Sequence, residues 1–255
     1  MLHYDNDYIR NNTAGLVVGQ HIHIYTKLPS TMQLAHTLIL QEAATEGAVV
    51  LAQCQTAGRG RFNREWISPA GNMWISVILY PKPDMLPWLF AICGLAVKNT
   101  LEQFGLKAFI KWPNDVLVNN LKIAGILIEG TANKKCSKVV CGIGLNVNLQ
   151  AKQVKKINQL ATSMSEQLGR QVDVNEVLVA FLKELNALYI NADINSIYAK
   201  WKEAMGFLGT RVSVLGNDGE RINGIATDID KSGRLLVLDE SGRKYAVSNG
   251  DLSVN

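Results

Sequence analysis

The sequence predicts an α+β fold: a mixed central β-sheet flanked by helices, followed by a small C-terminal β-barrel. Three observations predict it. Strand and helix cues alternate from residue 22 onward, and an apolar stripe at helical spacing runs from Val174 to Leu188. From Gly209 the chain becomes short strands parted by turns. The last change places a boundary near Leu208, giving residues 1–208 as a catalytic domain and 209–255 as the small domain.

"HIHIYTKL" reads as a strand, and "PSTMQLAHTLILQEA" as a helix with Ser30 or Thr31 as N-cap. "GAVVLAQ" and "NMWISVILY" are short buried strands. Residues 85–104 predict a helix, with Pro87 in its first turn and Gly105 just past its end. "KAFIKW" reads as a strand, "DVLVNNLKIAGILIEG" as two strands folded back at Asn119-Asn120, and "SKVVCGIGLNVN" as another. Two or three helices follow, the strongest carrying Val174, Val177, Leu178, Phe181, Leu182, Leu185 and Leu188 on one face. The tail gives "TRVSVLG", "ERINGIATDI", "RLLVLD" and "KYAVS", with turns at Asn217-Asp218-Gly219 and Ser241-Gly242. The first twenty residues are too few for a separate DNA-binding module.

At 255 residues, with 47% apolar and 19% charged residues, the chain has ample material for a core and is unlike a disordered protein. A net charge of +4 favours anionic partners without singling one out. No apolar run reaches the roughly 20 residues of a membrane span, and "MLHYDNDYIRNN" is too polar for a secretory signal. Cys54, Cys93, Cys136 and Cys141 lack CxxC or disulfide-framework spacing and read as reduced thiols of a cytoplasmic protein. His21 and His23 share a strand face and make a poor metal site alone.

Four stretches are costlier than packing requires. In "QTAGRGRFNREW", Arg59, Arg61 and Arg64 crowd a segment too glycine-rich for a helix, and the local repulsion calls for an anionic partner from outside. Guanidinium forks bind carboxylate and phosphate bidentately, while Gly58 and Gly60 let backbone approach a ligand. The loop has neither the GK[ST] ending of a P-loop nor Rossmann spacing, and a solvated basic loop is the plain alternative. "KWPND" holds Lys111 and Asn114 on a corner stiffened by Pro113, suited to phosphate and ribose, or simply a turn. Lys122 sits among apolar strand residues, where it needs a partner or a cleft, unless it guards a sheet edge. In "GIGLNVN" the glycines admit close approach, as a bulge or tight strand packing also demands, and Asn146 can reach a phosphate or a metal-bound water.

"STMQ", "QTAGRGRFNREW", "KWPNDV", "KIAGILIE" and "GIGLNVN", in this order and spacing, resemble the biotin protein ligases over roughly residues 22–255. The resemblance implies the class II aminoacyl-tRNA-synthetase-like biotin–lipoate ligase fold with an SH3-like C-terminal barrel. It also implies a two-step reaction with biotin as substrate and ATP and Mg²⁺ as cofactors. Biotinyl-5′-AMP forms first, and biotin then passes to a lysine of the biotin carboxyl carrier protein of acetyl-CoA carboxylase. By the same resemblance Ser30, Thr31 and Gln55 hold biotin's ureido head, Met32 belongs to the biotin-binding set, and Arg59, Gly60 and Arg61 contact biotin's tail and the phosphates. Arg64 binds phosphate, Trp66 packs near adenine, and Lys111, Asn114 and Asn146 face the triphosphate. Lys122 lies beside the biotin carboxylate, Asp115 orients the incoming lysine, and Arg61, Lys111, Lys122 and Asp115 form the catalytic set. Mg²⁺ is carried by the ATP phosphates, with no dedicated protein site. Met32 departs from the asparagine the family often has after Ser-Thr.

A monofunctional ligase without operator binding is expected, since the chain has no room for the winged helix some members carry; members include monomers and homodimers. The arginine loop is expected to be mobile when empty and to order over the adenylate. Two rivals exist. A lipoate- or octanoate-using enzyme of the same superfamily would not need the polar contacts of Ser30, Thr31 and Gln55. A nucleic-acid-binding protein would leave Lys122 unexplained.

Overall fold

A computed structural model describes residues 3–132, 137–150, 161–216 and 219–254, with the side chains of 131, 132 and 137 left aside. Cys136 and the Asn217-Asp218 part of one expected turn lie outside the described residues. The central sheet has seven strands: β1 (Ile22–Leu28), β2 (Val49–Gln55), β3 (Met73–Leu79), β4 (Ala108–Lys111), β5 (Asp115–Val118), β6 (Leu121–Ala132) and β7 (Ser137–Leu145). Their order is β1-β2-β3-β7-β6-β5-β4, with β1 and β2 parallel and every other pair antiparallel.

Helices cover both faces because most strands alternate two buried sets. Leu51, Ile75, Val77, Cys141 and Ile143 point to one core, with α3 (Leu89–Gln103) and α5 (Val174–Ile190) packed there. Val50, Ile78 and Val140 point the other way, into a smaller cluster with Met32 and Ala35 of α2 (Thr31–Leu40). The stripe foreseen on α5 is buried against α3, except that Leu188 is only partly covered. Asn119 and Asn120, with φ of 50° and 60°, make the tight reversal between β5 and β6 that their residue type favours.

The structure revises two local readings and adds an N-terminal helix. The helix foreseen from residue 85 begins at Leu89, because Pro83–Trp88 forms a 3₁₀ turn instead. Pro87 lacks an N–H and its ring collides with the preceding turn, so regular α-helix starts only beyond it. The N-terminal segment contributes α1 (Asn6–Thr13), which packs on α5, with Asp5 N donating to Asn175 Oδ1 at 2.8 Å. Lys122 does not guard an edge, because β6 lies between β7 and β5.

Among the described residues three helices follow the sheet: α4 (Met164–Leu168), α5 and α6 (Ile194–Glu203). The C-terminal sheet comprises β8 (Arg211–Leu215), β9 (Arg221–Ile229), β10 (Leu235–Leu238), β11 (Lys244–Val247) and β12 (Asp251–Val254), one strand more than the tail suggested. It pairs as β11-β10-β9-β8-β12 without joining its two ends, an SH3-like sheet open at the edges. It shares a core with the larger part: Trp112 Nε1 donates to Gly233 O at 3.0 Å and Tyr198 OH to Ile229 O at 2.7 Å.

Candidate active site

On the face of the sheet that carries α2, the strands lose bulk. Ser76 on β3, Gly142 and Gly144 on β7 and Gly125 on β6 leave a floor over which a cavity of about 1340 Å³ opens. The cavity is lined by every residue the sequence nominated. These are Ser30, Thr31, Met32 and Gln55; Arg59, Gly60, Arg61, Arg64 and Trp66; Lys111, Asn114 and Asp115; Lys122; and Asn146.

At one end the polar groups form a directional relay. Ser30 caps α2, its Oγ accepting from Gln33 N at 3.4 Å. Thr31 donates from N and Oγ1 to Gln55 Oε1 at 2.8 and 3.1 Å, and Ser76 Oγ donates to Thr31 Oγ1 at 2.8 Å. Gln55 Nε2 donates to Ser68 Oγ at 2.9 Å, and Ser68 Oγ to Trp66 O at 2.9 Å. The amide of Gln55 is thereby fixed, with oxygen toward Thr31 and nitrogen toward Ser68. Sequence reasoning missed Ser68 and Ser76. The signal for Ser76 is a hydroxyl inside the otherwise apolar run "MWISVIL", fully buried here.

The floor explains the glycines as close approach. A Cβ on Gly144 would stand 2.6 Å from Trp66 Nε1, one on Gly125 2.9 Å from the same ring, and one on Gly142 2.5 Å from Met32 Sδ. Gly125 and Gly144 are register partners, so the Trp66 ring spreads over two adjacent bare strands. It meets Trp74 edge-on at 6.4 Å, and Lys122 Nζ lies 5.1 Å from its centroid. Met32, buried against Gly142, uses its side chain for packing.

Lys122 has the partner its setting demands: Nζ is 2.8 Å from Asp115 Oδ1, both side chains under one-fifth exposed. The contact is an ion pair out of hydrogen-bond alignment, since that oxygen has no hydrogen-bonded partner. Asn114 sits beside it on the turn after the cis Trp112–Pro113 peptide. Its Nδ2 donates to Ile126 O at 3.0 Å, while its Oδ1 accepts from Arg61 at 2.7 Å. Asn146 is buried and donates from Nδ2 to Thr162 O at 2.9 Å, which commits that end of the amide to the fold.

The arginine loop rises over this floor as a small hairpin, closed by an antiparallel backbone pairing of residues 59 and 65 and tipped by Phe62 and Asn63 at φ of 58° and 55°. Arg61 and Arg64 already have hydrogen-bond partners within the chain, neutral for Arg61 and anionic for Arg64. Arg61 donates to Asn114 and Asn249 and to Gly250 O, and Arg64 to Asp251. Burial pulls the Arg61 pKa down against the opposing pull of Asp251 and Asp115, and the guanidinium stays charged. Burial also pushes Asp251 up, but the Arg64 hydrogen bond and the charges of Arg64, Arg61 and Lys111 outweigh it and hold the carboxyl below the usual range. Among the described residues, Arg59 and Lys111 make no side-chain ion pair. The cavity thus joins a neutral polar end, a flat aromatic floor and a cationic lip, fitted to a polar head, an apolar stem and phosphate.

Residues 25–146 match the biotin/lipoate A/B protein ligase family and residues 207–253 the biotin protein ligase C terminal domain; the chain belongs to this family. It is 35% identical over 242 residues to the bifunctional ligase/repressor BirA of Bacillus subtilis, covering 91% of this chain and 74% of that one. It is 35% identical over 222 residues to the biotin–[acetyl-CoA-carboxylase] ligase of Mycobacterium tuberculosis, covering 82% of this chain and 80% of that one. The fold is similar to that of the biotin protein ligase from Aquifex aeolicus in complex with biotin and ATP. That match has a TM-score of 0.76 at 29% identity and covers 92% of this chain and 99% of that one.

Proposed function

We infer that the protein is a biotin protein ligase. It activates biotin with ATP to biotinyl-5′-AMP and transfers biotin to a lysine of the biotin carboxyl carrier protein of acetyl-CoA carboxylase. The observation that carries this reading is the gathering of five separated sequence motifs into one cavity, in a chain that belongs to the family. A carboxylate oxygen of biotin attacks the α-phosphorus, the bond to the bridging oxygen breaks, and pyrophosphate leaves. The acceptor ε-amine then attacks the acyl carbon, loses a proton, and AMP departs.

Each half of the chemistry has residues suited to it. The fixed relay of Thr31, Gln55 and Ser30 offers hydroxyl and amide groups to a neutral ureido ring, which needs donors and acceptors together. The first step brings two anions together, so its main requirement is positive charge and alignment. Lys122 lies over the floor beside Trp66, close to where the carboxylate meets the nucleotide in this reading, and Asp115 holds its ammonium there. Arg59, Arg64 and Lys111 face the phosphates. Asp115, on the same cavity wall, orients the incoming acceptor lysine in this reading. Mg²⁺, in this reading, would come bound to the nucleotide and would screen its phosphates.

In this reading residues 1–208 carry catalysis and 209–255 form the small domain, and the protein works in the cytoplasm. No helix among the described residues is long and apolar enough to cross a membrane. For a monofunctional ligase, no specific operator retardation is expected in a gel-shift assay. The decisive experiment is ATP–pyrophosphate exchange with biotin, lipoate or octanoate added separately. Exchange with biotin is expected, and exchange with lipoate alone would reassign the substrate.

A further inference from the structure

The relay and the floor belong to the larger part of the chain, yet Gly250, Asp251, Leu252 and Val254 of the C-terminal sheet also line the cavity. Their contacts there are concentrated on the two arginines flanking the loop tip. Arg61 donates to Asn249 Oδ1 and, from both terminal nitrogens at 3.4 Å, to Gly250 O; Arg64 donates to Asp251. The turn receiving them is rigid. Gly250 N donates to Asn249 Oδ1 at 3.0 Å, a Cβ on Gly250 would meet Leu215 O at 2.8 Å, and Asp251 starts β12 in register with Leu215. On the other side the guanidinium carbons of Arg61 and Arg64 lie 4.8 and 5.3 Å from the centre of the Phe62 ring.

The loop cannot hold this shape by itself. Two successive non-glycine residues at its tip occupy the left-handed region, which surroundings must impose. Three arginines in six residues repel one another, and Asp251 is the carboxylate bonded to one of them. Anchoring Arg61 and Arg64 on one turn removes their freedom, while Arg59 and Lys111 line the cavity with neither an ion pair nor a side-chain hydrogen bond to a described residue.

We propose that Asn249 and Asp251 are positioning residues through which the C-terminal domain pins the arginine loop over the nucleotide end of the cavity. They act on the reaction only through Arg61 and Arg64. The proposal rests on the biotin-ligase reading for the identity of the nucleotide, but the pinning itself is visible without substrate.

The test uses the full chain. Amide exchange of residues 59–64 is measured in the empty protein for wild type, Asp251→Asn, Asp251→Glu and the double variant Asn249→Ala/Asp251→Asn. Exchange is expected to rise roughly ten-fold in the double variant, about the equivalent of one charge-assisted hydrogen bond. In pyrophosphate exchange its KM for ATP is expected to rise by roughly the same factor, with the KM for biotin within about two-fold. Asp251→Glu, keeping the charge, should stay close to wild type. Unchanged loop exchange and unchanged KM for ATP overturn the proposal. If the double variant does not fold, the single variants decide: equal loosening in Asp251→Asn and Asp251→Glu overturns it, and loosening in Asp251→Asn alone supports it. A wild type inert toward biotin would sink the ligase reading while the exchange data still judged the pin.

Discussion

The floor and the lip of the cavity are built on opposite principles. The floor is closely packed: Trp66 and Met32 press onto three glycines, Ser76 and Thr31 are buried, and every hydrogen bond of the relay runs one way. The lip is charged and half-exposed, its shape imposed by a turn that the chain reaches only at residues 249–251. A neutral ureido ring has to find its donors and acceptors already in place, because an unpaired polar group in a closed site is costly. A triphosphate has to enter and pyrophosphate has to leave, and cations on a separate, anchored loop allow that traffic. On the proposed reading, recognition belongs to the sheet, and the loop adds its cations to the one that Lys122 holds over the floor.

If Lys122 serves the floor as its one catalytic cation, removing it produces the largest effect. Lys122→Ala is expected to lower the adenylation rate 10²–10³-fold, on the order of 3–4 kcal/mol, as loss of one preorganised charge contact does. Single-turnover formation of the acyl-adenylate measures it, with near-UV circular dichroism as the folding control. A loss of less than about five-fold would remove Lys122 from the catalytic set.

Two variants sharpen the contrast on the floor alone. Gly144→Ala puts a methyl where the Trp66 ring lies, and the ring cannot yield without leaving Gly125. A destabilisation of about 1–3 kcal/mol is expected in urea unfolding, with a shifted tryptophan emission, as for overpacked cores. Gln55→Ala leaves Thr31 N without its acceptor and is expected to cost about 1–2 kcal/mol of stability and to weaken biotin binding in titration calorimetry. Unaltered biotin affinity would detach the relay from recognition.

The floor was legible in the sequence because its parts are local. Ser30 before an apolar helix, the Asn119-Asn120 reversal, glycines inside a strand and a lysine among apolar residues each violate or satisfy a rule within a few positions. The lip was legible only in part. The arginines announced a need for negative charge, but Asp251 stands 187 residues beyond Arg64, on a short strand with no alternation to mark it. Nothing in "NGDLSV" says that its amide and carboxylate face an arginine, because that fact belongs to the packing of the two sheets. The ring over Gly125 and Gly144 was hidden for the same reason: spacing revealed bare backbone but not which side chain would cover it.

The smallest expected effect separates floor from lip by pH. The Asp251 pKa is depressed in the folded protein, so its contribution is full above the ordinary carboxylate value, about 3.9, and is lost as pH falls through the lower folded value. The side chains of Arg64 and Asp251 are 53% and 36% exposed, so solvent screening keeps the pair under about 1 kcal/mol. The relay of Thr31, Gln55 and Ser68 contains no group that titrates there. Amide resonances of residues 59–64 are therefore expected to hold steady from pH 8 to about 5 and to shift below about 4, while those of Thr31 and Gln55 stay put. In Asp251→Asn the loop resonances should be displaced at every pH and show no acid transition. An acid transition of unchanged midpoint in that variant would assign the titration to another carboxylate and leave the lip held by Asn249 and Gly250 alone.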